Sequence, residues 1–183
     1  MVEIADSSFL DYLQKGQIKI KDGNIVFFGF DMIFIPAKSY AILHHSLRKE
    51  FGKKAADNFC EAGKKHMENI IATYAKRFDL SKMDFQTFSN LFTPSTQTFG
   101  FGKIIVKKID IKKGFIVVRS ENNPYALVYK EMYGIQQYDV DDLLRGMFAG
   151  ASELFNKKQS ECIETKCIAK GDTYCEFVAK PID

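Results

Sequence analysis

Two cysteines near the end of the chain have side chains suited to binding a metal ion. Cys167 and Cys175 flank Lys170-Gly171-Asp172-Thr173, a composition that predicts a hairpin turn between two short strands. If the turn centres on Gly171-Asp172, the two thiols lie diagonally across antiparallel strands. At that separation they could share a metal or, in an oxidising compartment, form a disulfide.

A glutamate lies close enough along the chain to join them. Glu164 precedes Cys167 by three residues, so a bend or bulge in the strand would turn its carboxylate toward the thiols. Two thiolates and one carboxylate oxygen suit three corners of a tetrahedral zinc site. The seven residues between the cysteines exceed the spacing of about two to four that is usual in zinc knuckles. The alternative interpretation is a pair of half-buried thiols that pack as small apolar side chains.

The same residues resemble a known family signature. The pattern Glu-x-x-Cys-x-x-x-Gly-x-x-x-Cys-x-Phe, which ends at Phe177, resembles the C-terminal signature of the 4-vinyl reductase domain family. The stretch Leu143–Gly150 is similar to the small-residue helix of that family, and Val118–Ala126 is similar to the strand and turn that enter it. The resemblance covers about residues 115 to 179.

The resemblance implies a zinc site with one departure in this sequence. In the sensor branch of the family, the two hairpin cysteines, the glutamate and a further cysteine at the start of the helix bind zinc. Asp141 stands where that further cysteine would be, five residues before Gly146. Three possibilities are open: Asp141 completes the site, Cys162 replaces it from the strand face that it shares with Glu164, or the site holds no metal. We rank Asp141 ahead of Cys162.

Composition predicts one domain without a membrane span. The chain has 183 residues, of which 46% are apolar and 27% charged, enough for one substantial core. We therefore expect a single domain over residues 1–183, with residues 1–112 forming N-terminal strands and helices and residues 113–179 carrying the family signature. No run of about eighteen apolar residues or signal-peptide pattern occurs, so we expect a cytoplasmic protein with reduced or metal-bound cysteines.

The mild net charge of +3 does not favour a direct nucleic-acid partner. Aromatic residues are abundant instead, with seventeen Phe and eight Tyr. Such an excess can fill a core or line an apolar cavity.

The order of predicted elements indicates an α+β fold. Strands are expected at Gln17–Lys21, Ile25–Ile35, Lys103–Lys112 and Phe115–Ser120, and helices at 36–51, 53–78, 81–92, Tyr125–Tyr133 and Asp139–Phe155. Gly52 separates the first two helices, and Asp139 is the predicted cap of the last. Small residues of the 53–78 helix predict close approach by another helix, within the chain or across a dimer. We expect an antiparallel sheet with helices packed on one face, which agrees with the TRAPP-like fold that the resemblance implies.

The resemblance also implies a ligand cavity between sheet and helices. The aromatic residues that we expect there are Phe85, Phe88, Phe92, Phe99, Phe101, Tyr125, Tyr129 and Tyr133.

Three functions fit these observations. We favour a homodimeric domain that binds a small hydrophobic or aromatic ligand and carries a structural zinc. The first alternative is a component of a vinyl-tetrapyrrole reductase, but the sequence has no dinucleotide, flavin or iron–sulfur signature, so enzymatic activity is disfavoured. The second is a TRAPP-like interaction scaffold that uses an exposed small-residue face of the 53–78 helix.

Overall fold

The structure is a computed structural model that describes residues 8–75, 87, 93, 96 and 99–182. The chain divides into two compact units, Met1–Pro36 and Ala37–Asp183. A three-stranded sheet belongs to the first unit and a four-stranded sheet to the second. Within the described part of the chain, no helix is long and apolar enough to cross a membrane. The helix predicted at 81–92 lies outside the described residues except for Thr87, which is helical.

The first unit contains a short helix and an antiparallel meander. Its elements are α1 (Ser8–Gln14), β1 (Ile18–Lys21), β2 (Asn24–Phe27) and β3 (Phe30–Met32). Asp22 and Gly23 both have positive φ and form the predicted turn between β1 and β2.

The single strand predicted for Ile25–Ile35 is wrong because the chain turns back at Phe28 and Gly29. These residues have φ of 51° and 89°, as the two central residues of a type I′ hairpin turn require. Phe27 pairs with Phe30 on either side of the turn. A left-handed Phe is uncommon, so the apolar run masked the turn.

Two helices separated by one glycine open the second unit. They are α2 (Ala37–Phe51) and α3 (Lys53–Ala75), and α2 begins directly after Pro36. Gly52 has φ of 56°, which a residue without Cβ adopts at little cost. The predicted break between these helices is therefore confirmed.

A four-stranded antiparallel sheet supports the rest of the second unit. Its strands are β4 (Lys103–Asp110), β5 (Phe115–Glu121), β6 (Ser160–Lys166) and β7 (Cys175–Pro181), in the order β4-β5-β7-β6. Alternate residues along β5, β6 and β7 are buried, the pattern of strands with one covered face. The predicted α+β class is confirmed.

Two further helices complete this unit: α4 (Pro124–Tyr133) and α5 (Asp142–Asn156). Helix α5 packs against both the sheet and α3. A Cβ on Gly146 would collide with the backbone of Cys60, and one on Gly63 would collide with the carbonyl of Leu143. The close helix approach predicted from small residues thus occurs within the chain. The scaffold hypothesis needed this face of α3 to be exposed, and the structure buries it.

The helix start predicted at Asp139 is wrong. Helix α5 begins at Asp142, and Asp141 is the residue at its N-cap. The carboxylate of Asp139 instead forms an ion pair with Lys170, with 3.0 Å between Oδ1 and Nζ. Lys170 belongs to the β6–β7 connection, so a tertiary contact takes the place of the local cap.

Candidate metal centre and ligand cavity

Four acidic side chains converge at one end of the sheet. Asp141, Glu164, Cys167 and Cys175 are all buried, and their potential ligand atoms all lie within 4.8 Å of one another. They come from the N-terminus of α5, from β6, from the residue after β6 and from the first residue of β7. Cys162 is buried in β6 but does not belong to this group. Of the two residues considered for the fourth position, the structure brings Asp141 to the cluster.

A strand irregularity and an ordered loop position three of these side chains. The β6–β7 register shifts between Glu164 and Lys166, as the predicted bulge requires. The predicted two-residue turn at Gly171-Asp172 is wrong, because a 3-10 turn at Ile168–Lys170 forms part of the connection. Asp172 Oδ2 accepts a hydrogen bond of 2.9 Å from the backbone N–H of Cys167. This bond closes the loop and keeps Cys167 beside the strand end.

Hydrogen bonds hold the carboxylates in place but leave one oxygen unused. Asn123 Nδ2 donates to Asp141 Oδ1 at 3.0 Å, and the backbone N–H of Asp141 donates to Glu164 Oε2 at 3.3 Å. Cys175 Sγ lies 3.3 Å from Asp141 Oδ2. Glu164 Oε1 is buried without a hydrogen-bond partner. An unpaired buried carboxylate oxygen costs about 1–3 kcal/mol or more, so a ligand for it would be stabilising.

Burial and mutual contact perturb the acidity of the whole group. Burial is the main cause that raises the pKa of Asp141 and of Glu164. A hydrogen bond between the thiols, with burial second, raises the pKa of Cys175, while the same bond lowers the pKa of Cys167 to about 7. Without a cation, this cluster therefore keeps protons that exposed carboxylic acids would lose. A divalent cation would compensate the negative charge that replaces them.

The donor set and its dimensions fit a tetrahedral cation. Zinc takes thiolate bonds of about 2.3 Å and carboxylate bonds of about 2.1 Å, so tetrahedral ligand atoms stand about 3.4–3.8 Å apart. The limit of 4.8 Å for the four atoms means that the widest pair would need to close by at most about 1 Å. Side-chain torsions alone can supply such a shift.

A second polar group lies beside this cluster and was not predicted from sequence. His44 Nε2 is 2.9 Å from Asp142 Oδ2, and both side chains are fully buried. Asp142 also accepts a bond of 2.9 Å from Arg145. His44 was considered from sequence only as a possible ligand contact, because pairing across 98 residues has no local signal. Asn123 precedes Pro124, which is an N-cap signal, and its amide also serves the metal cluster.

Several aromatic residues predicted for the ligand cavity form a packed cluster. Tyr125, Tyr129 and His44 lie with ring centroids 5.6–5.7 Å apart, in edge-to-face contact. Tyr133 stacks on His45 with 3.7 Å between centroids. Phe99 and Phe101 are half-buried just before β4. The predictions for Phe85, Phe88 and Phe92 concern residues outside the described ones.

A small apolar cavity lies between α3, α5 and the sheet. Its volume is about 10 Å³, room for a single water molecule. The lining residues in the described part of the chain are Met67, Thr93, Thr96, Ile104, Val106, Val118, Leu144, Met147, Phe148 and Ala151. The cavity lies where the resemblance implied one, with a described wall that is mainly aliphatic and does not include Tyr125 or Tyr129.

The family of the C-terminal part can now be stated, because residues 117–181 match the model of the 4-vinyl reductase domain family. This part of the chain is a 4-vinyl reductase domain. The match includes Glu164 and both clustered cysteines and confirms the resemblance seen in the sequence. No curated protein sequence matches the chain.

Solved structures show that the fold extends beyond the residues matched by the family model. The phenol-responsive sensory domain of the transcription activator PoxR, solved with phenol, has a TM-score of 0.79 and 15% identity, covering 99% of this chain and 92% of that chain. A vinyl-4-reductase family protein from Methanocaldococcus jannaschii has a TM-score of 0.50 and 18% identity, covering 83% and 85%. A trafficking protein particle complex subunit 3 from Naegleria fowleri, covalently bound to palmitic acid, has a TM-score of 0.56 and 14% identity, covering 80% and 95%.

Proposed function

We propose that the chain is a ligand-sensing domain that binds a small hydrophobic or aromatic molecule between α5 and the sheet. The observation that carries this proposal is the likeness of the whole chain to the phenol-responsive sensory domain of PoxR. The apolar cavity beneath α5 supports it independently. Thr93 and Thr96 are the polar residues in its described wall and offer hydroxyls for a ligand that carries one polar group.

Ligand entry requires the cavity to enlarge. At about 10 Å³ it is far below the roughly 300 Å³ at which small-molecule pockets begin. The wall at residues 88–98 is described only at Thr93 and Thr96, whereas α3, α5 and the sheet form the opposite sides. We expect adjustment on the side of residues 88–98, since Gly63 and Gly146 leave no room for α3 and α5 to approach further.

We also propose that the four-residue cluster binds a structural zinc. The support is the donor set of two thiols and two carboxylates, the unpartnered Glu164 Oε1 and the number of buried acidic groups. With every corner taken by protein, such an ion has no open position for a substrate. It would join the β6–β7 connection to the N-cap of α5. Leu144, Met147 and Phe148 of that helix line the cavity, so the metal would orient one of its walls.

Binding is tested by calorimetry and native mass spectrometry with phenol, toluene and palmitate. Ala151 is buried in the cavity wall, so Ala151→Phe should abolish binding, whereas the same change at the exposed Ala62 of α3 should not. Met147→Ala enlarges the cavity and should tighten binding, as engineered apolar cavities bind benzene. Failure of the wild-type protein and of Met147→Ala to bind any probe would refute the sensor proposal.

The assembly and location of the chain remain predictions. The same native spectrum reports whether the protein is the expected homodimer. A cytoplasmic location is checked by fractionating cells that express the tagged chain.

A further inference from the structure

A basic groove lies at the end of the sheet remote from the metal cluster. Cys175 begins β7 near the cluster, whereas Lys180 and Pro181 end the same strand at the groove. The groove has a volume of about 590 Å³ and lies beside the β4–β5 turn and the end of α5. Its lining consists of Lys108, Asp110, Lys112, Lys113, Phe115, Asn156, Lys158, Lys180 and Pro181.

The groove concentrates positive charge. Five lysines and one aspartate line it, a net charge of +4, while the whole chain carries a net charge of +3. The remainder of the chain is therefore slightly negative, so the basic character of this protein belongs to one surface. Like charges held together repel one another, and an anion bound among them relieves that repulsion.

Three of the lysines have no carboxylate partner in the groove. Asp110 pairs with Lys113 at 3.7 Å, and Glu161 pairs with Lys180 at 3.6 Å. None of the ion pairs found among the described residues includes Lys108, Lys112 or Lys158. The ammonium of Lys108 lies 5.3 Å from the ring centroid of Phe115. Unneutralised ammonium groups are thus directed at a concave surface large enough for a small molecule.

The floor of the groove is held by buried hydrogen bonds. Ser152 Oγ donates to the carbonyl of Gly114 at 2.5 Å, and Asn156 Nδ2 donates to the carbonyl of Ser152 at 2.7 Å. A side chain at Gly114 would collide with Asn156, and its φ of 64° also favours glycine. These contacts attach the β4–β5 turn to the end of α5, so the lysines on both sides of the groove are held near one another before any ligand arrives.

We propose that this groove binds a small molecule that carries two or more linked phosphate groups. A single phosphate ester carries a charge of about −1.5 to −2 at neutral pH, which would compensate only part of the groove charge. A diphosphate or triphosphate comes closer to the net +4 of the lining. Lysine binds phosphate as a point charge, and the lining contains no arginine to favour planar carboxylate recognition. Phe115 and Pro181 offer apolar contact to an organic part of the ligand.

This site is distinct from the proposed aromatic-ligand cavity. The two share no described lining residue, and the groove lies outside the covered face of the sheet. The proposal therefore gives the domain a second ligand class, and its test does not depend on phenol binding.

Calorimetry with inorganic triphosphate tests the proposal, with inorganic phosphate, an acidic peptide and duplex DNA as competing probes. Triphosphate should bind at least about tenfold more tightly than phosphate and should weaken between about 50 and 200 mM salt. The double variant Lys112→Ala/Lys158→Ala should lose at least about tenfold in affinity, since charge-assisted contacts are the strong ones. The matched control Lys19→Ala/Lys21→Ala changes two exposed lysines of β1 and should bind like the wild type.

Each other outcome overturns the proposal. Equal loss in both double variants would mean attraction by general surface charge, and no loss in either would place the anion elsewhere or reduce the heat to metal chelation. Tighter binding of duplex DNA or of the acidic peptide than of triphosphate would assign the groove to a macromolecule. Both double variants should melt like the wild-type protein, because the changed side chains are exposed.

Discussion

Replacing Cys175 by serine is the most direct test of the metal centre. The thiol is fully buried, lies 3.3 Å from Asp141 Oδ2 and accepts a bond of 3.4 Å from the backbone N–H of Ile168. Serine is similar in size and keeps a hydrogen-bonding group, so packing changes little. It lacks the thiolate, however, which is the ligand that zinc prefers. Cys175→Ser therefore separates loss of metal from loss of packing.

The expected loss of stability follows from the energy of structural zinc binding. Such binding contributes about 10–16 kcal/mol, or about 2.5–4 kcal/mol for each of four ligands. For a domain of this length, each kcal/mol shifts the melting temperature by about 2–4 °C. Cys175→Ser should therefore melt about 5–16 °C below the zinc-loaded wild type. After chelation, the two proteins should melt at much closer temperatures.

The assay combines metal analysis with calorimetric melting in the presence and absence of a chelator. Wild-type protein should contain one zinc per chain, and Cys175→Ser should contain almost none. Cys60→Ser is the control for a half-buried thiol outside the cluster and should keep its zinc. Unchanged zinc content and melting in Cys175→Ser would refute the assignment. Zinc loss in Cys162→Ser with retention in Asp141→Ala would instead make Cys162 the fourth ligand.

Three further predictions concern the metal-free cluster and the core. Because burial raises the pKa of Asp141 and Glu164, the folded metal-free state retains protons that the unfolded state releases above about pH 4, so its free energy of unfolding should fall by about 1.4 kcal/mol per pH unit for each retained proton as pH rises toward 6.5; urea titrations at several pH values measure this slope, and a rising slope contradicts it. Gly146→Ala should destabilise the protein by about 2–4 kcal/mol in thermal melting, since its Cβ meets the backbone of Cys60; an unchanged melting temperature would contradict the helix approach. Tyr125→Phe removes a buried hydroxyl without a partner among the described residues and should raise the free energy of unfolding by about 1 kcal/mol in urea, while a decrease would reveal a bonded hydroxyl.

Local sequence rules predicted the elements whose signals are local. The turn at Asp22-Gly23, the break at Gly52 and the β4–β5 hairpin follow from residue types that favour those backbone conformations. Covered strand faces likewise follow from alternating polarity. The same rules missed the turn at Phe28-Gly29, because two aromatic neighbours make a continuous strand the more favourable interpretation of the pattern.

The candidate site was predictable in part for the same reason. Cysteines and a glutamate on neighbouring strands reveal themselves by type and spacing, and the family resemblance added Asp141. The 3-10 turn between the cysteines was not predicted, since Asp172 forms it by bonding back to Cys167. The pairing of His44 with Asp142 joins two helices that are far apart in sequence, and no local pattern reports it.

The sequence by itself determined the family, the α+β class and the identity of the residues capable of binding metal, because these depend on residue type, period and spacing. Only the tertiary structure decided that Asp141, rather than Cys162, lies at the cluster, since that depends on how α5 meets β6. It also gathered five lysines from separate elements into one groove. Their charges are dispersed along the chain and become a single surface only when the strand ends and the end of α5 meet.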